Sequence, residues 1–340
     1  MSKTIKKAFD NALTFEKMYD AYKRAKLNKS MKREVLEFEL NLEINIINLV
    51  EELKYNTYKL GKYRQFKVYE PKERVIKALP FRDRVVHQWY VYEFIIPHIV
   101  PKFVYDSYTC IKNKGTHHAV ARLKYFIDSA RRQYGDFYIV KMDISKFFYN
   151  IDPNILFSIM SKYISDKKLL ALTKTLIFDE KNEIGIPIGN YTSQYFANIY
   201  LNELDQYVKR NLKVQYYLRY MDDFILLVPN KEIARNLYKE KELFVMEKMK
   251  LKLNPKSRIY PSAMGVDFCG YRVYYTHILV RNRSNRNIRK KIKKWNIQYK
   301  NGTLNKKEVE TSFNSWKSHI KHSNSYNLYV RYLNKMKFRL

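Results

Sequence analysis

Cysteine, glycine and proline are all scarce here: two, eight and nine in 340 residues. The two cysteines, Cys110 and Cys269, are far apart and lack metal-ligand spacing. That excludes a disulfide scaffold and a zinc ribbon, and points to a reducing compartment. So little glycine and proline leaves no room for a long flexible linker, and no repeat or low-complexity tract is present. Long apolar runs are missing too. The stretch FIIPHIV (94–100) is too short to span a bilayer and contains Pro97 and His98, so no membrane partner is expected. The amino-terminal MSKTIKKAFDNALTF is charged and amphipathic and lacks a signal-peptide core, which predicts a cytoplasmic location.

Acidic residues are the other shortage, 33 against 65 Lys and Arg, a formal charge of +32. Such an excess repels itself unless a polyanion neutralises it, and nucleic acid is the usual partner. Frequent Lys, Asn, Ile, Tyr and Phe are also what an A/T-rich genome encourages, but drift does not decide placement. Residues 281–340 hold seventeen Lys or Arg against Glu308 and Glu310 alone, +15 of the +32. What remains is ample: at 46% hydrophobic, the chain has material for two or three subdomains.

Periodicity gives a coarse order. Residues 5–55 read as helix. KYRQFKVYEPKERVIKALP (62–80) reads as two strands joined at Glu70-Pro71, and a helix runs through RVVHQWYVYEFIIPHI. A loop at 105–118 leads into a helix at 119–133, and FYIVKMDISKFF (137–148) is a β-type run. Helices are expected at 153–176, 190–212 and 231–250, followed by LKLNPKS, the β-rich MGVDFCGYRVYY and a basic helical end.

Between the last of these helices lies YLRYMDDFILLVP (217–229), two strand-like runs meeting at Asp222 and Asp223. Asp is ordinary turn chemistry, and the pair alone does not decide between a plain hairpin and a metal site. Two adjacent carboxylates repel and raise each other's pKa, a penalty that a divalent cation reverses. A second strand ends at Asp143, with no lysine evident to pair with it on its own face. Acids at the ends of two strands suit a pair of metal ions held roughly 3.5–4 Å apart for in-line phosphoryl transfer.

With these residues in view the chain resembles the reverse transcriptases over nearly its whole length. RYMDDFILL matches that family's Y-x-D-D motif, and KMDISKFF matches its first palm motif. The resemblance implies Asp143 and Asp222 as principal metal ligands, Asp223 as a supporting one, a further metal contact at Ile144, and two Mg²⁺ ions, with Mn²⁺ as a substitute. It puts Phe148 at the steric gate, where a ring would clash with a ribose 2′-hydroxyl; on a strand, Phe147 and Phe148 could not face the same way. PKERVIKALPFRDRVV looks like the fingers hairpin, with Lys72 and Arg74 meeting the incoming triphosphate. Lys256 in LKLNPKS takes the role of protonating or stabilising pyrophosphate, VDFCGYRV corresponds to the primer-grip hairpin, and the basic tail to the thumb. Arg281, Arg283, Arg289, Lys290, Lys293 and Lys294 there are expected on duplex phosphates.

The nucleotide-binding motif departs from the common pattern. In GIPIGNYTSQYF, Ile188 replaces a glutamine, Gly189 and Ser193 remain, and Gln194 stands where proline is usual. This form is similar to reverse transcriptases of diversity-generating retroelements, as are DSYTCIKNKGTHHAV and SWKSHIKHSNSY. An apolar wall at Ile188 removes two hydrogen-bonding functions beside the nucleotide, in keeping with error-prone copying opposite adenine. The expected fold is α+β, a right-hand polymerase: an N-terminal helical extension (1–60), fingers (61–136), a palm of antiparallel sheet packed on helices (137–275, with a fingers insertion at about 180–198) and a basic helical thumb (276–340). Expected partners are template RNA, a DNA or RNA primer, dNTPs and a small basic accessory protein. No endonuclease or RNase H segment is expected beyond residue 340, which leaves integration to other factors. The rival readings are a defence-associated or group II intron-like enzyme copying a dedicated RNA, and a non-catalytic RNA-binding scaffold.

Overall fold

The computed structural model describes residues 4–69, 73–178 and 183–338. The span 5–55 forms four helices: α1 (Phe9–Ala12), α2 (Phe15–Lys26), α3 (Arg33–Glu39) and α4 (Leu42–Lys54). Thr14 caps α2 by accepting from Lys17 N. The fingers hairpin pairs β1 (Arg64–Val68) with β2 (Arg74–Ala78). Its entry is anchored by buried Asp83, which accepts from Tyr58 Oη at 2.7 Å and Gly61 N at 3.1 Å. Gly61 is needed there, because a Cβ would lie 2.7 Å from the Pro80 ring.

The helix after it runs as α5 (Phe81–Tyr90), a π-turn at Val91–Ile95 and α6 (Ile96–His98). The wide turn sits just before Pro97, which has no N–H to continue the ladder. Helix α7 (Thr116–Tyr134) precedes strand β3 (Tyr138–Asp143), which is shorter than the 137–148 expected. The chain then turns through Lys146 at φ 46° into the short α8 (Phe147–Asn150). The helix expected at 153–176 is two, α9 (Pro153–Tyr163) and α10 (Lys167–Ile177). They part because Asp166 caps α10 and also accepts from Ala8 N and Phe9 N, while Ile5 bridges Ile164. Helix α11 (Tyr191–Gln206) ends in a second π-turn at Tyr207–Asn211.

Strands β4 (Tyr216–Tyr220) and β5 (Asp223–Val228), helix α12 (Lys231–Glu247) and β6 (Arg258–Pro261) complete the central layer. The sheet is antiparallel with order β4-β5-β3-β6. Strands β3, β4 and β5 are buried on both faces and alternate between two cores. Val140, Met142, Phe224 and Leu226 join the large core built with the N-terminal helices, α5 and α11. Ile139, Leu218, Ile225 and Leu227 join a second core with α7. Residues 4–60 share one core with β3, β5, α5 and α11, and α7 packs on β4, β5 and β8.

A second small sheet, β7 (Val266–Phe268), β8 (Tyr271–Val273) and β9 (Ile278–Val280), leads to α13 (Asn282–Lys300), α14 (Lys306–Ile320) and α15 (Tyr326–Leu333). These last three helices bury Ile288, Trp295, Phe313, Trp316 and Tyr332 in a core of their own. Among the described residues no helix is long and apolar enough to cross a membrane. The architecture is α+β: a palm sheet carried on helices, a fingers hairpin and a helical thumb.

Candidate active site

The β4–β5 hairpin closes with Tyr220 opposite Asp223, leaving Met221 and Asp222 as a two-residue turn. Met221 has φ 55°, the left-handed corner such a tight turn needs. In the neighbouring pair, β3 runs antiparallel to β5 in a register that sets Asp143 directly across from Asp223. Side chains so opposed have Cβ atoms ~4.5–5.5 Å apart. The structure thus pairs Asp143 with Asp223 across the strands and puts Asp222 in the turn beside them.

The loop LKLNPKS clasps the end of β3. Asn254 N donates to Asp143 O at 2.7 Å, Asn254 Nδ2 to Asp143 Oδ2 at 2.8 Å, and Asp143 N to Ser257 Oγ at 3.1 Å. Ile144, bridged to Leu253, is buried, so only its backbone carbonyl could offer a metal contact. Lys256 is exposed, with its backbone N donating to Asn254 Oδ1.

Asp223 is a strongly perturbed carboxylate. Burial raises its pKa to about 6; Lys141 opposes the rise, and Asp143 and Asp222 add to it. Its Oδ2 accepts from Lys141 Nζ at 2.8 Å, while its Oδ1 is buried with no hydrogen-bond partner among the described residues. The sequence is expected to place no lysine beside Asp143 on its own strand face, and Lys141 stands there. Lys141 lies two residues before Asp143, hence on the same strand face, and reaches Asp223 across the pair. Among the described residues no three His, Cys, Asp or Glu side chains close into a ready metal cage. The donor set nevertheless suits a hard divalent cation: carboxylate oxygens only, one of them buried and unpartnered.

The nucleotide motif is stitched to both neighbours. Gly185 N donates to Ile151 O and Ile186 N to Phe148 O, while Lys77 N of the fingers donates to Ile188 O at 2.8 Å. Gly189 has φ 128°, and a Cβ on it would lie 2.5 Å from Lys77 O, so this close approach of loop and hairpin requires glycine. Ser193 is buried, and exposed Gln194 accepts from Cys110 Sγ at 3.2 Å. Phe148 is not on a strand. It shares one helical turn with Phe147, which is buried near Tyr200, and stays half-buried with its ring edge-on to Phe147.

Arg74 is exposed at the start of β2, and Lys72 lies outside the described residues. In the thumb, Arg283, Arg289, Lys290, Lys293 and Lys294 are exposed on the side of α13 opposite Ile288, Ile292 and Trp295. Arg281 is not part of that face: it caps α13 and is ion-paired with Asp267. Residues that sequence reasoning missed are Lys141, Asn254 and Ser257. A signal existed for each, the period of two before Asp143 and two polar residues inside LKLNPKS, but only the register shows what they touch.

Residues 66–273 match the family model described as reverse transcriptase (RNA-dependent DNA polymerase). Protein YkfC of Escherichia coli K12 is 26% identical over 304 residues, covering 76% of this chain and 75% of that protein. The COX1/OXI3 intron 2 protein of Saccharomyces cerevisiae is 25% identical over 204 residues, 41% of this chain and 24% of that one. A solved telomerase of Candida albicans, in complex with a fragment of telomeric RNA, aligns with a TM-score of 0.49 at 11% identity over 74% of this chain and 55% of that chain. The chain thus spans about a quarter of the yeast protein and just over half of the telomerase. With most of the length under the family model, the chain belongs to the reverse transcriptases, the RNA-dependent DNA polymerases.

Proposed function

We propose that the chain copies an RNA template into DNA by phosphoryl transfer at the Asp143–Asp222–Asp223 site. One observation carries this reading: strand register brings Asp143 and Asp223 face to face beside the turn bearing Asp222. Asp143, Asp222, Asp223 and the Ile144 carbonyl would hold two Mg²⁺ ions, or Mn²⁺ in their place. When bound, such ions lower the pKa of the primer 3′-hydroxyl and neutralise charge on the leaving pyrophosphate. Around them Lys72 and Arg74 grip the triphosphate, Lys256 supplies a proton or a charge to pyrophosphate, and Phe148 with Ile188 and Gly189 walls the sugar and base. The exposed cations of α13 take the duplex phosphates. The fingers at 61–136 and 180–198, the palm at 137–275 and the thumb after 276 divide these tasks, in the cytoplasm. The test is incorporation of labelled dNTP on an RNA template: wild type extends the primer and Asp222→Asn does not. Equal extension by both sinks the assignment.

Ile188 favours a finer reading, error-prone copying at template adenines within a diversity-generating retroelement, assisted by a small basic accessory protein. Ile188→Gln is expected to lower misincorporation opposite adenine, and an unchanged error spectrum removes that role. The yeast intron relative favours the second reading, a group II intron-like enzyme with its own structured RNA. Sequencing the RNA that co-purifies, and the cDNA made from it, separates the two: adenine-directed substitutions favour the first, faithful copies the second.

A further inference from the structure

Arg219, three residues before Asp222, is fully buried, as are Asp205, Asn198 and Tyr217 around it. Every side of its guanidinium is used. Nε donates to Asp205 Oδ1 at 2.8 Å and Oδ2 at 3.0 Å, and Nη2 to Oδ2 at 2.6 Å. Nη1 donates to Asn198 Oδ1 at 3.0 Å and to the Met221 carbonyl at 2.9 Å. Tyr217 Oη donates to the same aspartate at 2.5 Å, and Asn198 Nδ2 to Thr109 O at 2.8 Å. The network thus has one end on α11, the helix that follows the nucleotide loop, and the other on the turn that presents Asp222 and Asp223.

Stability alone does not account for it. A buried ion pair loses so much hydration that apolar residues of like volume serve as well or better. The Met221 contact is of another kind. A non-glycine residue at φ 55° is strained, and such strain persists where the surroundings over-determine the backbone. Arg219 supplies that determination by pinning the strained residue's carbonyl to α11.

We propose that Arg219, oriented by Asp205 and Asn198, is a positioning residue: it locks the Met221–Asp222 turn in the conformation that presents the aspartates to metal. The proposal rests on the polymerase reading of those aspartates. It also makes α11 the common support of the nucleotide loop and the metal-site turn, so that the two are set at a fixed separation.

The test removes the network without leaving an unpaired charge. The triple variant Arg219→Met, Asp205→Leu, Tyr217→Phe deletes one positive and one negative group, so the net field at the site changes little and geometry is what varies. Free Mn²⁺ is followed by electron paramagnetic resonance as it is titrated into each protein. In parallel, the Mg²⁺ needed for half-maximal primer extension is measured. The expected result is a folded triple variant with Mn²⁺ binding and Mg²⁺ requirement both weakened about tenfold or more, the size of effect usual for residues that orient metal ligands. Arg219→Lys, which keeps the charge on Asp205 but cannot span to Met221 O, is expected to show the same shift with a smaller amplitude, and decides the matter if the triple variant does not fold. Folded variants that bind Mn²⁺ within twofold of wild type overturn the proposal. A wild type that binds Mn²⁺ but extends no primer overturns the polymerase reading instead, and the Mn²⁺ comparison still judges Arg219.

Discussion

Arg219 and Arg281 both pair with an aspartate, and the contrast between them separates the palm from the thumb. Arg219 and Asp205 are shut away from water, with Asn198, Tyr217 and the Met221 carbonyl drawn into one network. Arg281 and Asp267 are more than a third exposed at the base of α13, where an ion pair is worth about 0–1 kcal/mol. The palm turn is thus held by a closed set of hydrogen bonds inside the continuous core of the fingers and palm. The thumb has its own small core and meets the palm through Arg281–Asp267 and a cluster of Tyr271 with His117, His319 and His322. On the proposed function, chemistry needs fixed distances at the turn, whereas a duplex that advances one nucleotide at a time needs a clasp that yields.

The largest effect expected from this division is in the thumb core. Phe313→Ala removes a ring that is 2% exposed, and such truncations cost ~3–5 kcal/mol. Because that core is separate, hydrogen exchange should accelerate in α13–α15 and stay unchanged in β3 and β5. Acceleration in both would mean that the two regions unfold as one. Next in size is Asn254→Leu, which frees Asp143 Oδ2. It is expected to weaken Mg²⁺ dependence by ~10–100-fold while leaving the melting of the thumb alone. A change in melting temperature without a change in metal requirement would make Asn254 a structural residue.

The histidine cluster predicts a smaller, pH-dependent effect. Burial lowers the pKa of His117 and of His319, and the neighbouring imidazoles lower both further. Among the described groups, His322 stacks on His117 from α14's end and Tyr271 faces both from β8. The docked thumb therefore prefers neutral rings. Its attachment is complete above the ordinary histidine value of 6.5 and is lost as pH falls through the lowered values. Spin labels on Lys124 and Lys307 should give a narrow distance distribution near neutrality and a broader one on acidification, and His117→Gln with His319→Gln should remove the change. A distribution that ignores pH would show the cluster to be passive.

How much of this was legible beforehand follows from range. Tyr138–Asp143 and Tyr216–Val228 are apolar and aromatic enough to be seen as strands, and their acids stand at the strand ends, so the site could be read from local pattern. Which acids face each other could not, because register depends on partners eighty residues away: Asp143 meets Asp223, and Lys141 meets Asp223 by the same slip-free pairing. Helix breaks were hidden for a similar reason. Asp166 starts α10 by accepting from Leu169 N with one oxygen, and its other oxygen takes Ala8 N and Phe9 N from the far end of the chain. Phe148 is in a helical turn and not on the strand expected for it, since the αL turn at Lys146 leaves no mark in composition. Arg281 looked like its basic neighbours until Asp267 claimed it.

The smallest effect tests the thumb's outer face against that exception. Each exposed cation that meets a phosphate displaces counterions, so the logarithm of duplex affinity falls with the logarithm of salt by about one unit per contact. Lys294→Ala should therefore weaken binding uniformly across sequences and reduce the slope by about 1. Arg281→Met should leave the slope intact, because that guanidinium already serves Asp267. The pair of slopes is informative in either direction. Equal losses would mean that Asp267 releases Arg281 to the duplex, and the thumb's base would then join the binding face instead of bracing it.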